Sequence, residues 1–189
     1  KKILKYSLPV GLAGLIISLI AVSDKYVLAF FKTPYEVGIY DTAATIVLSA
    51  FATSNALLTS IAPKMMKESS RRKEYYTKTL LFNTTLLSIF ALGIIYYAEI
   101  IVNTLYGPKY APAINLVKAL ALAMPIMHLY NINGLYLNSE GKTKITGAIS
   151  VLLTLLSIAI NILLIPLYGT FGVVASVAIT YSLIAIIGF

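Results

Sequence analysis

Apolar residues in this chain come in long unbroken runs separated by short polar stretches. That pattern belongs to helices immersed in lipid, because strands of a membrane barrel would alternate instead. The first run extends from about Ser7 to Phe31 and carries Pro9 in its opening turn, where a missing N–H costs little. Ser23-Asp24-Lys25 interrupts it. Thr33-Pro34 ends it, since the residue before a proline is pushed out of helical geometry. The second run, from near Glu36 to about Pro63, is only moderately apolar and holds Asp41, Thr45, Ser49, Ser54, Asn55 and Thr59. Such a helix matches lipid poorly and is expected to face other helices or a wet cavity.

A basic loop over 64–74 follows, and the third run spans about Tyr75 to Tyr97. Ala98 to Tyr106 reads as a short interfacial helix, and Gly107-Pro108-Lys109-Tyr110-Ala111-Pro112 as a turn. The fourth run covers about Ala113 to Leu137 and is expected to bend at Pro125. A polar loop at 139–144 precedes the fifth, from Ile145 to Ile165, closed by Pro166 and Gly169. The sixth starts near Phe171. The expected fold is therefore all-α: a polytopic membrane bundle of about six transmembrane helices forming a single domain over residues 1–189.

Composition agrees. Of 189 residues 59% are hydrophobic and 12% charged, against roughly 25% charged in a soluble domain. The chain has no cysteine and a single histidine, His128, which excludes disulfides, thiolate metal sites and histidine clusters. No cofactor is expected. The chain opens on Lys1-Lys2-Ile3 without an initiator Met and ends inside an apolar run, so it is expected to be part of a longer polypeptide.

The net charge of +8 would suggest nucleic acid in a soluble protein, but its placement argues otherwise. If the connections alternate sides, one side receives Lys1, Lys2, Lys5, Lys64, Lys67, Arg71, Arg72, Lys73, Lys78, Lys142 and Lys144. The other receives Lys32 and Lys109. The positive-inside rule then places the amino end and the 64–78 and 139–144 loops in the cytoplasm, with anionic membrane lipids as partners and no nucleic acid.

Polar groups within the spans are the candidates for function, because charge in hydrocarbon is costly. Asp24 and Lys25 point about 100° apart on a helix. They either line a central cavity or pair with neighbouring helices, and Lys25 has the further option of snorkelling. Asp41 lies near the outer end of the second span; it lines a vestibule or favours its helix dipole. Lys118 holds a phosphate or reaches the outer headgroups. His128 and Asn131 are three apart and so share a face; a proton-coupled or sugar-binding role competes with interhelical hydrogen bonding. Asn55 and Asn161 read the same way. Tyr6, Tyr35, Tyr96, Tyr97, Tyr106, Tyr110 and Tyr168 fall near interfaces as belt anchors, and Gly11 and Gly14 serve packing. No Gly-rich phosphate loop, His-Glu-x-x-His or Gly-x-Ser-x-Gly is present, so an enzyme is not expected.

Several segments, in order, resemble the polysaccharide biosynthesis flippases of the multidrug/oligosaccharidyl-lipid/polysaccharide exporter superfamily. They are Leu4-Lys5-Tyr6-Ser7-Leu8-Pro9, Asp24-Lys25-Tyr26, Val37-Gly38-Ile39-Tyr40 with Ala43, Ala62-Pro63, and Leu105-Tyr106-Gly107-Pro108-Lys109-Tyr110. The most specific runs from Asn161 through Ile165-Pro166-Leu167-Tyr168-Gly169 to Gly172. Val173-Val174-Ala175 departs from the commoner Gly-Ala-Ala. The resemblance implies the carboxy-terminal lobe of a two-lobe transporter, with the amino-terminal lobe of the same polypeptide as partner. It implies a polyprenyl-phosphate-linked sugar as substrate, moved across the cytoplasmic membrane by alternating access. The first two spans would line the cavity, with Lys25 and Lys118 offsetting diphosphate charge. An ion-gradient-driven multidrug exporter using Asp24 or Asp41 is the alternative. A membrane glycosyltransferase or ligase and a non-transporting scaffold are the weaker rivals.

Overall fold

The structure is a computed structural model that describes residues 22–187. Six α-helices follow one another: α1 (Ser23–Phe31), α2 (Pro34–Lys67), α3 (Arg72–Leu105), α4 (Ala113–Ser139), α5 (Thr143–Tyr168) and α6 (Thr170–Ile187). Short 3₁₀ turns at Ser69–Arg71 and Pro108–Tyr110 lead into α3 and α4, and no strand occurs among the described residues. The amino-terminal part of the first span, with Pro9, Gly11, Gly14 and the Leu4–Pro9 motif, lies outside the described residues.

Four helical segments, Pro34–Lys67, Ser69–Leu105, Ala113–Ser139 and Thr143–Tyr168, are long and apolar enough to cross a bilayer. The chain is a multi-pass membrane protein of the all-α class. Thr33 closes a capping box with Glu36: its backbone N–H donates to Glu36 Oε2 at 3.0 Å, and its hydroxyl accepts from the Glu36 N–H at 3.4 Å. With Pro34 in the first turn, this pair both stops α1 and starts α2.

Three expected boundaries move. The interfacial helix expected over Ala98–Tyr106 is instead the end of α3, which runs without a break to Leu105. Its buried positions Asn83, Leu87, Ala91, Ile94, Ala98 and Val102 keep a spacing of three or four past Tyr97, so the face that packs on α4 continues and the helix continues with it. The basic loop expected over 64–74 is largely helical, because α2 passes through Pro63 to Lys67 and α3 begins at Arg72. Pro166 likewise sits inside α5, which ends at Gly169 with φ 59°, a left-handed conformation that favours glycine. A proline removes one backbone bond, and neighbouring helices make that loss tolerable in a membrane.

At about 1.5 Å per residue, α2 and α3 each reach about 51 Å, well beyond a hydrocarbon core of about 30 Å. Their surplus turns carry Lys64, Lys67, Arg72, Lys73 and Lys78. The helix connections alternate between two ends. Tyr35 donates to the Lys109 carbonyl at 3.4 Å, and Gly169 lies beside the Lys32 side chain, so Lys32, Lys109 and the α5–α6 turn share one end.

α4 is the hub. It packs on α2, α3 and α6, and buries Leu116, Val117, Leu120, Ala121, Met124, His128 and Ile132. α1 packs mainly on α5, and α5 on α6. At Gly172 the α6 backbone lies so close to α5 that a Cβ would sit 2.6 Å from the Leu164 carbonyl oxygen.

Candidate functional site

Asp24 and Lys25 diverge, as adjacent positions on a helix must. Asp24 Oδ1 accepts from Asn161 Nδ2 at 2.7 Å and from Ser157 Oγ at 3.2 Å, both on α5. Ser176 on α6 donates to the Ser157 carbonyl at 3.2 Å, so three helices meet at this carboxylate. Its partners are neutral. Lys25 turns the other way and forms an ion pair with Asp41 on α2. Side-chain exposures of 39% and 48% leave that pair open to solvent or headgroups.

His128 does not share its surroundings with Asn131. His128 is fully buried at the meeting of α2, α3 and α4, with Nδ1 3.3 Å from Ser54 Oγ. Asn83 Nδ2 donates to Ser54 Oγ at 2.9 Å. Ser54, Asn83 and His128 thus form one buried polar contact between three helices. His128 Nε2 and Asn83 Oδ1 have no hydrogen-bond partner among the described residues. Three positions on a helix still leave about 60° between two side chains, enough at this hub to send them to different neighbours.

Asn131 faces a cleft of about 340 Å³ between α2, α4 and α5, lined also by Asn55, Thr59, Tyr130, Asn138 and Thr146. Tyr130 at its edge shares a 2.6 Å hydrogen bond with Ser150 and packs edge-on against Tyr181. The structure thus brings Asn55 and Asn131 together, and joins Lys25 to Asp41. Lys118 is near neither group: it lies half-buried thirteen residues before Asn131 on α4, about 140° round the helix. Two partners were missed in the sequence. Asn83 was the only amide within the third apolar run and could have been found on that ground. Tyr76, whose hydroxyl donates to Asn133 Oδ1 at 2.6 Å, has no signal in the sequence that sets it apart from the other tyrosines.

The helices differ in what they expose. Exposed positions of α3 include Leu81, Phe82, Ile89, Leu92 and Ile100, and those of α5 include Leu152, Leu155, Ile162, Leu163 and Leu167. These exposed faces are apolar, as a bilayer requires of surfaces that meet lipid. On α2, by contrast, Asp41, Thr45, Leu48, Ala52, Asn55 and Thr59 follow one another at spacings of three or four and form one open stripe that is mainly polar or small, interrupted by the exposed Leu48. The stripe runs from the Lys25–Asp41 pair into the Asn55–Asn131 cleft.

The family profile described as polysaccharide biosynthesis protein matches residues 1–115. The chain belongs to that family. A membrane protein of Methanocaldococcus jannaschii named as uncharacterized is 25% identical over 186 residues, 98% of this chain and 44% of the relative. A probable low-salt glycan biosynthesis flippase of Haloferax volcanii is 21% identical over 183 residues, 94% of this chain and 38% of the relative. The chain therefore spans less than half the length of these relatives. No solved structure matches it.

Proposed function

We propose that this chain is the carboxy-terminal lobe of a two-lobe flippase. It moves polyprenyl-phosphate-linked oligosaccharide or polysaccharide precursors across the cytoplasmic membrane by alternating access. Its partner is the amino-terminal lobe of the same polypeptide, and the end bearing Lys64–Lys78 and 139–144 is cytoplasmic. The observation that carries this reading is the run of polar groups on the open stripe of α2, Asp41, Thr45, Asn55 and Thr59, set against the apolar outer faces of α3 and α5. A helix that turns polar residues outward in a membrane protein needs water, headgroup or sugar to receive them. In this reading the sugar headgroup passes along Asp41, Thr45, Asn55 and Asn131 while the prenyl chain stays in the bilayer. Lys25 is half-neutralised by Asp41, so its role toward a diphosphate is an exchange of one anionic partner for another. Lys118 waits nearer the outer headgroups. His128 pins the lobe together. The named function of the Haloferax relative supports the same substrate class.

The test reconstitutes the full-length protein in liposomes with a fluorescent lipid-linked oligosaccharide and follows leaflet exchange. Movement that requires the sugar headgroup and is lost in Asn55→Leu/Asn131→Leu is the expected result. A second reading, an ion-gradient-driven drug exporter, is favoured by Asp24, whose partners among the described residues carry no charge. It predicts gradient-dependent dye efflux that Asp24→Asn abolishes, with no exchange of the lipid-linked sugar.

A further inference from the structure

The opposite side of α2 carries a different feature. Between α2 and α3 runs a crevice of about 340 Å³ with Lys64, Lys78, Ser60 and Thr79 at its polar end and Leu57, Ile61 and Phe82 along its walls. A second hollow of about 470 Å³ lies further along the same two helices, lined by Ala50, Thr53, Ile89, Phe90, Gly93 and Tyr97 among others. Positions 64, 61, 57, 53 and 50 of α2 fall within one helical stripe, so the two hollows follow one line. Asn55 and Thr59 lie roughly half a turn away, so this line is separate from the polar stripe.

The small residues Ala50, Thr53 and Gly93 make the second hollow wide. A Cβ added at Gly93 would meet nothing within 4 Å. Asn83 lines the first hollow, fully buried, with Oδ1 lacking a hydrogen-bond partner among the described residues. Lys78 is shared with Glu74 at 2.7 Å, whereas Lys64 has no ion pair among the described residues. Cations at one end and an apolar track behind them form the negative of one anionic lipid molecule. Four polar positions suffice for a phosphate and its ester oxygens but give a sugar chain too few partners.

We propose that the α2–α3 crevice holds one resident anionic phospholipid, its phosphate on Lys64 and Lys78 and one chain lying past Phe82 toward Gly93. The occupant is a structural lipid of the leaflet nearest the lysines, bound outside the transport path. The site follows from the membrane embedding of these helices and stands whether the cargo is a sugar lipid or a drug.

The experiment is native mass spectrometry of the full-length protein taken from nanodiscs of mixed phosphatidylglycerol and phosphatidylcholine. The expected result is one retained phosphatidylglycerol per protein. Lys64→Gln/Lys78→Gln should weaken retention about thirtyfold, the product of two lysine contributions. Gly93→Leu, which keeps both lysines and fills the chain track, should also displace the lipid, while Lys73→Gln should not. Circular dichroism and a monodisperse elution profile confirm that each variant is folded. Equal retention of phosphatidylcholine, or retention unchanged by either the lysine or the glycine variant, overturns the proposal. So does displacement of the phospholipid by an equimolar lipid-linked oligosaccharide, since the crevice would then be a substrate site.

Discussion

Asn161 Nδ2 donates to Asp24 Oδ1 at 2.7 Å, joining α1 to α5 across a sequence separation of 137 residues. Asn161→Ala leaves the carboxylate with Ser157 alone. The loss is expected to cost about 1–3 kcal/mol, the penalty of an under-satisfied partly buried group. Thermal unfolding of the detergent-purified protein measures it; an unchanged midpoint would show that water replaces the amide fully.

The Lys25–Asp41 pair is about half exposed on both sides, so its worth to stability is small, under about 1 kcal/mol. Its expected effect is on transport. Lys25→Asp and Asp41→Lys should each slow leaflet exchange, and the two together should recover part of the rate. Rates for the four proteins, compared as a cycle, check this. No recovery would mean that the charges act separately.

Ser54, Asn83 and His128 form one network, so their contributions are not independent. Ser54→Ala and Asn83→Ala are expected to show a coupling of about 0.6 kcal/mol, reaching at most about 2, the range for hydrogen bonds between membrane helices. Unfolding of both single variants and the double variant in mild detergent supplies the cycle. Strict additivity would remove the network from the account.

Lys142 Nζ lies 2.7 Å from Glu140 Oε2 in the α4–α5 turn. The hydrogen bond from Lys142, with a smaller one from Tyr136, holds the Glu140 carboxyl below the usual range. A carboxylate lowered in the folded state adds stability above its unfolded pKa, about 4.3, and loses it as pH falls through the folded value. The turn should therefore hold at neutral pH and loosen in acid below about pH 4. Hydrogen exchange at residues 139–143 should show that loss, and Glu140→Gln should flatten it. A profile that is the same in both proteins would assign the pH dependence elsewhere.

These 189 residues contain no cysteine, so single introduced cysteines test sidedness. A cysteine at Lys73 or Lys144 should react with an impermeant maleimide only in inverted vesicles, and one at Lys109 only in intact cells. The reverse pattern would turn the bundle over.

Much of the fold is legible in the chain because lipid imposes one strong rule, that apolar runs become helices. The α2 stripe was visible too, as polar residues scattered through a long run. What was hidden depends on packing. The end of α3 was misplaced because nothing local shows that Ala98 and Val102 keep burying against α4. Pro63 and Pro166 read as stops because nothing local shows that α2 and α5 continue past them. Adjacent positions told that Asp24 and Lys25 would part, but not that Asn161 and Asp41 would receive them. His128 and Asn131 share a spacing and still meet different helices, since the hub helix has neighbours on nearly every side.

Gly93 lies in the middle of α3 and Gly172 in the first turn of α6, and their surroundings differ sharply. At Gly172 the Leu164 carbonyl oxygen would stand 2.6 Å from any Cβ, and that neighbour is backbone, which cannot step aside. The α5–α6 hairpin is therefore a fused hairpin, not a sliding one. In a saturation library this codon should accept no replacement, while position 93 accepts many.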